Sequence, residues 1–549
     1  TRDELRLAFS NIRSELYLNT AEAGRTRHVI DFIWGINLSR ALSEAYSSFN
    51  RGYKTISIGR VQSPTLSFIV NREVEIQTFV TTPYWIIKAI FEKDDIQITS
   101  LYKKNKIENL LEGKRIKKDC KNKEGIIDEV YKVTTPLHPP IPFNTGDLQR
   151  ESYRVFGFSP SQTLKITERL YLEALISYPR TSSQKLPPSI GYRKILMGLK
   201  GIKKYSEDIK ELINKPLNVT EGNKNDPAHP AIYPTGEIPK RELESRESKI
   251  YDLIIRRFFS VFGENALIER STATISISSH NFGVSGKRII KEGWIRYYKI
   301  YSKIEDNPLP TLEKGEHLRM IKIDLLEKWV QPPPRYNQGS LLDLMEKVGI
   351  GTKTTRSDVI STLYDREYIT GESITPTDMG FIVVEILHRY SSEILSINMT
   401  KKIEDRLQDI ERGDMNGSQV IEETVEKVFE SLKKIKDSEV LIGRNLSDAA
   451  FDTSIIKNTM GSCPICKSGN LIKIHSKKTG KRFVGCTNYK KGCKASSPLP
   501  QKGFIKTSKK VCNHCKWPII YVRNRGNPWR LCININCPQK EIKNEMRSM

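Results

Sequence analysis

The hydrophobic and polar positions along the chain predict helical and strand-rich segments in a nested order. Residues 1 to about 72 have a helical pattern, and residues 76 to 135 alternate apolar and polar side chains, as in YWIIKAIFEK and GIIDEVYKVTT. A helical block follows from about 146 to 260, and strand-like alternation returns between 270 and 325, in STATISISS and YYKIYSKI. Because helical ends enclose strand segments around a helical centre, the order predicts an arch or ring.

Proline-rich joints and a last helical segment complete this order. PLHPPIPFN and QPPPRY interrupt the regular patterns. Residues 340 to 450 then follow the order helix, turn, helix, hairpin (EYITGESITPT), helix, helix, which is typical of a winged-helix module. The pattern as a whole predicts an α+β multidomain protein.

The stretch LEALISYPRTSSQKLPP places a tyrosine and an arginine after an apolar helical pattern. Ser159 is a candidate N-cap and Pro160 takes the favoured first helical position, so a helix is predicted from there to Tyr178. Pro179 ends it, because the residue before a proline avoids helical geometry. Two interpretations of Tyr178 remain open at this point: a half-buried aromatic, or a nucleophile with Arg180 beside it to hold an anion.

Length and charge narrow the class of protein. The 549 residues suggest about three to five domains, and no run of 18 apolar residues or secretory leader occurs, which predicts a soluble, non-secreted protein. The net charge is +25, and residues 451–549 carry 21 basic against three acidic side chains, whereas the first 450 carry 68 against 61. A polyanionic partner is expected, with the tail as its strongest electrostatic contact.

Eight of the nine cysteines lie in this tail and form two similar sets. Each set has a tight pair, a longer gap and a looser pair, the spacing with which two knuckles surround a tetrahedral zinc ion. Disulfides are the alternative, which a basic intracellular chain disfavours. The predicted ligands are Cys463, Cys466, Cys486 and Cys493 for one zinc ion, and Cys512, Cys515, Cys532 and Cys537 for a second. Cys120 stands alone and has no predicted role.

Aromatic side chains lie between the lysines and arginines of the tail: Phe483, Tyr489, Trp517, Tyr521 and Trp529. Exposed rings interleaved with cations suit unpaired bases, which stack on the rings while phosphates contact the cations. The alternative is that these rings form the small cores of the zinc-binding units. Some must do so, and both interpretations remain open for each ring.

Six motifs, in this order, resemble those of the type IA DNA topoisomerases. They are GRVQSPTLSFIV (59–70), PFNTGDLQRES (142–152), ISYPRTSSQKLPP (176–188), DPAHPAIYPTG (226–236), PPPRYNQGSLLDLMEKVGIGT (332–352) and STLYDREYI (361–369). The resemblance implies a toroidal body whose hole admits DNA. It also implies transient cleavage of one strand, passage of another and religation without ATP, and the chain indeed carries no P-loop sequence.

The domain prediction combines the pattern with this resemblance. It gives the first helical part of a base (1–72), the first strand-rich part of an arch (73–137), a helical domain with the nucleophile (138–266), the second part of the arch (267–328), a winged-helix-like second part of the base (329–452) and two zinc ribbons (456–503 and 504–549).

The resemblance implies catalytic roles for three residues. Tyr178 matches the nucleophilic tyrosine, which takes the 5′ phosphate and releases a 3′ hydroxyl. A phenol has a pKa near 10 and a phosphodiester transition state gathers negative charge, so the planar donor group of Arg180 suits the reaction. His229 matches the active-site histidine expected to contact the DNA backbone.

DNA-binding positions are implied in the same way. Arg27 and Asp31 match a pair that supports the cleaved strand, and they lie four residues apart on one predicted helix face. The remaining expected DNA-binding residues are Arg60, Gln62, Ser63, Thr181, Ser183, Thr355, Arg356 and Arg366. For each arginine the alternative is an ordinary surface ion pair.

Two departures from the family pattern affect the expected chemistry. Thr181, Ser182 and Ser183 stand where the family usually has threonine, aspartate and serine, so the acid is missing. The family's metal-binding TOPRIM domain is expected to precede Thr1, together with its magnesium ligands, and Asp94 and Asp95 cannot replace it. Without that domain, the sequence is expected to bind single strands but to cleave and reseal poorly.

The sequence therefore predicts a type IA topoisomerase that relaxes negatively supercoiled DNA, with two structural zinc ions and magnesium as cofactors. The expected partner is mainly single-stranded DNA, with no membrane, and the protein is expected to be a cytoplasmic, nucleoid-associated monomer. A non-enzymatic single-strand-binding protein and the topoisomerase half of a reverse gyrase remain as alternatives.

Overall fold

The computed structural model describes residues 6, 9–12, 16–50, 52–476, 479–501, 504–523 and 529–538. The helices are α1 (Leu18–Phe49), α2 (Gln62–Gln77), α3 (Leu110–Cys120), α4 (Thr145–Phe156), α5 (Pro160–Leu172), α6 (Tyr192–Leu199), α7 (Ser206–Ile213), α8 (Ser245–Ser260), α9 (Ile295–Tyr298), α10 (Gln338–Lys347), α11 (Thr355–Asp365), α12 (Asp378–Tyr390), α13 (Ile397–Arg412), α14 (Gly417–Asp437) and α15 (Glu439–Asn458).

The strands are β1 (Pro83–Lys93), β2 (Ile96–Tyr102), β3 (Gly125–Leu137), β4 (Ala266–Ile277), β5 (His280–Lys291), β6 (His317–Trp329), β7 (Ile369–Thr370), β8 (Thr375–Pro376), β9 (Thr459–Ser462), β10 (Asn470–His475), β11 (Arg482–Cys486), β12 (Ser496–Pro498), β13 (Phe504–Val511), β14 (Pro518–Arg523) and β15 (Trp529–Cys532).

The base is the helical unit that joins α1 and α2 to α10–α15. In α1, buried side chains recur every three or four residues, from Ala23 through Ile30, Trp34 and Leu38 to Ala45, which directs one stripe of the helix to the core. The same core takes Leu341 and further residues up to Ala450, so two segments that are far apart in the sequence, 23–70 and 341–450, share one hydrophobic cluster.

The barrel closes the two strand-rich segments of the sequence on each other. Its strand order is β1-β2-β5-β4-β3-β6, and the barrel has no free edge. Ile87, Ala89 and Phe91 alternate with more exposed residues along β1 and fill the interior. Asp94 and Asp95, both with positive φ, form the two-residue turn between β1 and β2. Burial raises the pKa of the Cys120 thiol, at the end of α3, to about 11, as expected for a structural cysteine.

The central body contains α4–α8 together with the short α9, and it has its own hydrophobic cluster. The predicted strand YYKIYSKI is wrong here, since Ile295–Tyr298 form α9 and Lys299–Tyr301 a turn of 3₁₀ helix. Trp294, Tyr297, Tyr298 and Tyr301 are buried at intervals of three or four residues, so the apolar side chains follow a helical period rather than a period of two.

The ribbon pair consists of β9–β15. β9–β12 form one sheet and β13–β15 a second, and buried residues of both, such as Leu471 and Ile520, belong to one cluster. Helix α15 continues to Asn458 and β9 begins at Thr459, so the ribbon pair follows the base directly. None of the described helices is long and apolar enough to cross a membrane.

Candidate active site and zinc clusters

The loop that carries Tyr178 is assembled from three distant segments of the central body. Ile176 pairs with Pro234 in an isolated bridge, and the Ser177 amide donates to the Tyr233 carbonyl at 2.9 Å. Beyond the tyrosine, the Thr145 hydroxyl donates to the Pro179 carbonyl at 2.6 Å. The motifs around residues 144, 178 and 230 therefore hold one another in place through their backbones.

The predicted helix end at Tyr178 is wrong, because α5 ends at Leu172. Ser159 and Pro160 begin the helix as predicted. At the other end, Ala174 takes a left-handed conformation (φ 59°), and the Leu175 amide bonds the Leu170 carbonyl at 3.0 Å, which closes the helix. The apolar pattern continues to Ile176 only because the following extended segment is also buried.

Tyr178 is half-buried and lies between two other rings. Its centroid is 4.6 Å from that of His229 and 5.2 Å from that of Tyr171. His229 is half-buried as well. The structure thus brings together the two candidate catalytic rings, which are 51 positions apart in the sequence.

Arg180 follows in the same loop and contacts an acid that the sequence analysis missed. Its Nε donates to Glu168 at 2.8 Å and its Nη2 also bonds this carboxylate, while Nη1 has no hydrogen-bond partner among the described residues. The Glu168 hydrogen bond raises the pKa of Arg180. Both side chains are about one-third exposed (33% and 34%), so an anion can compete for this guanidinium.

Thr181 and Ser183 lie inside the loop rather than on its surface. The Thr181 hydroxyl donates to the His229 carbonyl at 3.0 Å and accepts from the Ser183 amide at 3.0 Å. Ser183 accepts from the Lys185 amide at 3.1 Å. Both residues are buried, so in this conformation they shape the loop and present no side chain to DNA.

Ser182, which stands in place of the family's acid, contacts a carboxylate from another motif. Its amide and hydroxyl both donate to Asp226, at 3.0 and 3.1 Å. Burial would raise the pKa of Asp226, but hydrogen bonds from Lys353, Ser182 and Ala228 outweigh it and hold that pKa well below its ordinary value. The sequence analysis did not single out Asp226, although its place in DPAHPAI beside His229 was a signal.

A second ion cluster lies in the base. Arg27 bonds Glu404 through both Nη atoms, and the Nη1 of Arg60 bonds the same carboxylate at 3.0 Å. The Nε of Arg60 donates to Asp31 at 2.8 Å. Arg27 and Asp31 are thus linked through Arg60 and Glu404. Glu404, 377 positions from Arg27, was missed because only tertiary proximity identifies it.

The other residues of the GRVQSP motif lie behind this cluster. Gln62 is buried and exchanges hydrogen bonds with Ser57, at 3.0 Å in each direction. Ser63 is buried too, and its hydroxyl lies 3.4 Å from the Gly59 amide that donates to it. The structure brings neither side chain to the surface.

The candidate DNA contacts of the last motifs are spread along α11. Thr355 and Arg356 lie at its start, and Arg366 follows its end, about 15 Å away at 1.5 Å per residue. Arg356 donates to the Ile350 carbonyl at 3.0 Å and lines a small cavity of about 30 Å³ with Ser182, and burial lowers its pKa. The structure therefore does not bring the three residues together.

The eight tail cysteines form two compact clusters, and none of them is in a disulfide. Within each cluster all four sulfur atoms lie within 4.8 Å of one another. Close pairs measure 3.8 Å (Cys463–Cys493) and 3.4 Å (Cys515–Cys532), near the separation of about 3.8 Å that tetrahedral zinc with bonds of about 2.3 Å requires. The residues fit structural zinc, as predicted.

The tail aromatics divide between core and surface. Trp517 is buried and Phe483 half-buried, whereas Tyr489 is 70% exposed and Tyr521 is at the limit of exposure at 36%. The side chain of Trp529 lies outside the described part of the chain.

Comparisons with known proteins all point to the same family. A family model described as DNA topoisomerase matches residues 15–422. The chain is 42% identical to DNA topoisomerase 1 of Pyrococcus horikoshii over 549 residues, which cover 99% of this chain and 79% of that protein. It is 38% identical to DNA topoisomerase 1 of Methanothermobacter thermautotrophicus, over 99% and 74% of the two chains. The chain belongs to the type IA DNA topoisomerases.

A solved structure, full-length topoisomerase I from Thermotoga maritima, has the same fold. The TM-score is 0.63 at 24% identity, with 93% of this chain and 81% of that chain covered. The predicted fold class, an α+β type IA topoisomerase fold, is therefore confirmed, and so is the prediction of an enzyme, an isomerase of this family.

Proposed function

We propose that this topoisomerase cuts one DNA strand with Tyr178, passes another strand through the break and reseals it. In the cleavage step the phenolic oxygen forms a bond to phosphorus and the bond to the 3′ oxygen breaks. The phenol loses a proton and the leaving 3′ oxygen gains one. The linkage conserves the bond energy, so attack by the 3′ hydroxyl reverses the reaction without ATP, and relaxation of negative supercoils follows.

The observation that carries this proposal is the half-buried Tyr178 beside His229, in a loop that hydrogen bonds to two other motifs hold in place. Arg180, two residues on, has an Nη1 atom without a hydrogen-bond partner in the described part of the chain, which suits the negative charge of the transition state. An incoming phosphate would draw this guanidinium away from Glu168, whose side chain is about one-third exposed.

Strand passage requires an opening, and the contact between central body and base is suited to one. Among the described residues, the hydrophobic clusters of the two units have no member in common. Charged pairs cross the contact instead: Arg150 and Lys224 bond Glu346, and Lys353 bonds Asp226. We call this contact the polar joint and infer that it opens.

Magnesium and zinc complete the proposal. Of the described residues, the two cysteine sets are the groups of three or more close ligands that could hold a metal, so each would take one zinc ion. Magnesium would be bound by other residues. When bound, magnesium would help neutralise the phosphate charge. Metal analysis should find two zinc ions per chain, and a protein free of zinc would refute the structural sites.

We infer that the substrate is mainly single-stranded DNA, bound by a protein that acts as a monomer at the nucleoid. The exposed Tyr489 beside Lys490 and Lys491 is suited to base stacking with phosphate contacts. Arg27, Asp31, Thr355, Arg356 and Arg366 remain proposed DNA contacts, and the buried Arg60, Gln62, Ser63, Thr181 and Ser183 would support the DNA-binding loops from behind. Deletion of residues 456–549 should weaken binding and flatten its salt dependence.

The test of the nucleophile is the covalent adduct on single-stranded DNA in the holoenzyme with magnesium. Tyr178→Phe should abolish the adduct while leaving DNA affinity nearly unchanged, since the ring and its packing remain. Tyr171→Phe is the matched control, because Tyr171 is the neighbouring ring and should be dispensable for the adduct. An adduct that survives in Tyr178→Phe would reject the assignment.

A further inference from the structure

One buried carboxylate near the candidate active site, Asp226, has so far been described only as a partner in the polar joint. Asp226 is 9% exposed overall, and its side chain 5%. It accepts hydrogen bonds from the Ser182 amide, the Ser182 hydroxyl and the Ala228 amide, at 3.0, 3.1 and 3.1 Å, and it pairs with Lys353. A carboxylate with this many donors stays ionised and holds its neighbours in fixed positions.

The first contacts of Asp226 join the two loops that carry the candidate catalytic groups. Ser182 lies four residues after Tyr178, and Ala228 directly precedes His229. The Thr181 hydroxyl, which donates to the His229 carbonyl, connects the same two loops one position earlier. Asp226 therefore helps to set the distance between the phenol and the imidazole without touching either.

The remaining contact of Asp226 crosses the polar joint. Lys353 belongs to the turn before α11 of the base, 127 positions away in the sequence. Its side chain is 35% exposed, whereas that of Asp226 is almost fully covered. When base and central body part, this ion pair must break, and Asp226 keeps only the donors of its own body.

We propose that Asp226 is a positioning residue that couples closure of the polar joint to the alignment of Tyr178 and His229. In the closed state, Lys353 fixes the carboxylate, which in turn holds the Ser182 and Ala228 loops. In the open state the loops lose this constraint, so cleavage and religation are favoured only when the joint is closed. The proposal rests on the nucleophilic role of Tyr178 proposed above.

The position of Ser182 supports this role. Its hydroxyl lies 3.1 Å from an Asp226 oxygen, so an aspartate at position 182 would place its carboxylate in nearly the same space. The acid that the family sequence pattern carries at this position is thus supplied from a different loop. The carboxylate should therefore function at either position, 182 or 226, provided that its negative charge stays within reach of Lys353.

The first experiment compares Asp226→Asn with the unchanged holoenzyme on a single-stranded oligonucleotide. Asparagine keeps the shape but loses the charge, so adduct formation and religation should each slow about tenfold while DNA affinity stays within about twofold. An unchanged rate would overturn the proposal, and so would an equal loss of rate and affinity. The double variant Ser182→Asp/Asp226→Ser should restore most of the rate, which a purely packing role would not produce.

The second experiment uses two lysines that cross the same joint. Lys353→Met should slow adduct formation about as much as Asp226→Asn, and Lys353→Arg should rescue it. Lys224→Met removes a comparable ion pair, to Glu346, that does not touch the tyrosine loop, and its rate should stay within about twofold. If Lys353→Met and Lys224→Met slow adduct formation equally, the coupling is wrong, because weaker closure of the polar joint would then explain both losses of rate.

These outcomes distinguish the proposed coupling through Asp226 from the proposed nucleophilic role of Tyr178. If Tyr178→Phe still forms the adduct, the proposed nucleophile is wrong. If Tyr178→Phe abolishes the adduct but Asp226→Asn and Lys353→Met behave as the unchanged protein, only the coupling is wrong. Thermal unfolding midpoints show that each variant is folded at the assay temperature, and the lysine pair remains a valid test should Asp226→Asn unfold.

Discussion

The central body has two joints of opposite character. Towards the barrel, Ala266 belongs to the hydrophobic cluster of the central body, and Leu137 and Ile289, from two other barrel strands, pack against it. The indole of Trp294 donates to the Leu137 carbonyl at 3.0 Å. Towards the base, ion pairs replace a shared core. An apolar joint loses buried area as soon as it parts, whereas charged groups regain water and counterions.

This difference indicates which contact moves. Opening the polar joint breaks ion pairs rather than a shared core, and water and counterions can solvate the freed charges. Opening the apolar joint would break the core of the central body itself. We therefore expect central body and barrel to move as one unit relative to the base.

The largest loss of stability should come from weakening the apolar joint between central body and barrel. Trp294→Ala removes a buried indole (7% exposed) at that joint and should destabilise the protein by about 3–5 kcal/mol. Chemical denaturation measures this loss. Trp329→Ala, at a 47% exposed site on the barrel, is the control and should cost far less. Similar losses in both variants would remove the contrast between the joints.

A smaller effect is expected at the polar joint. Glu346→Gln weakens the bonds from Arg150 and Lys224 and should make closure less favourable by about 1–2 kcal/mol, with little effect on the core of either body. Amide hydrogen exchange should rise in the facing helices α4 and α10, and more so in high salt. Glu430→Gln, on the exposed face of α14, should leave exchange unchanged. If hydrogen exchange rises equally in the barrel, the substitution does not act specifically on the polar joint and the prediction is wrong.

A third variant sharpens the comparison by removing an ion cluster that crosses neither joint. Glu404→Gln weakens the link between Arg27 and Arg60 inside the base, so single-strand affinity should fall about two- to fivefold. Fluorescence anisotropy with a labelled oligonucleotide measures the affinity. Exchange in α4 and α10 should not change, and a change there would mean that the base ion cluster and the polar joint act together.

The smallest effect is the pH dependence of the polar joint. Burial alone would raise the pKa of Glu346, but Lys224 and Arg150 lower it to about 2. A depressed carboxyl pKa stabilises the closed state fully above the ordinary value of about 4.3, and this stabilisation is lost as pH falls towards 2. The radius of gyration from small-angle X-ray scattering should therefore stay constant from pH 8 to 5 and begin to rise below about pH 4. Glu346→Gln should show a flatter rise; an equally steep one would assign the effect to other groups.

The spacing of residues along the sequence was enough to predict the metal sites, one helix start and the family of this protein. Two knuckles of cysteines predicted both clusters, because hairpin geometry fixes the distances between neighbouring ligands. Ser159 and Pro160 predicted the start of α5, since a capping bond spans only three residues. The motifs predicted the family and singled out Tyr178, Arg180 and His229.

Tertiary structure decided the partners of those residues. The sequence placed the end of α5 six residues too late, since buried side chains continue from the helix into an extended segment, and it offered no signal for Glu168 or Glu404. The pairing of Asp226 with Lys353 spans 127 positions and two bodies. A helix cap or a metal knuckle depends on neighbours along the chain, whereas a buried carboxylate takes whichever donors the fold brings to it, and that choice exists only once the bodies are packed.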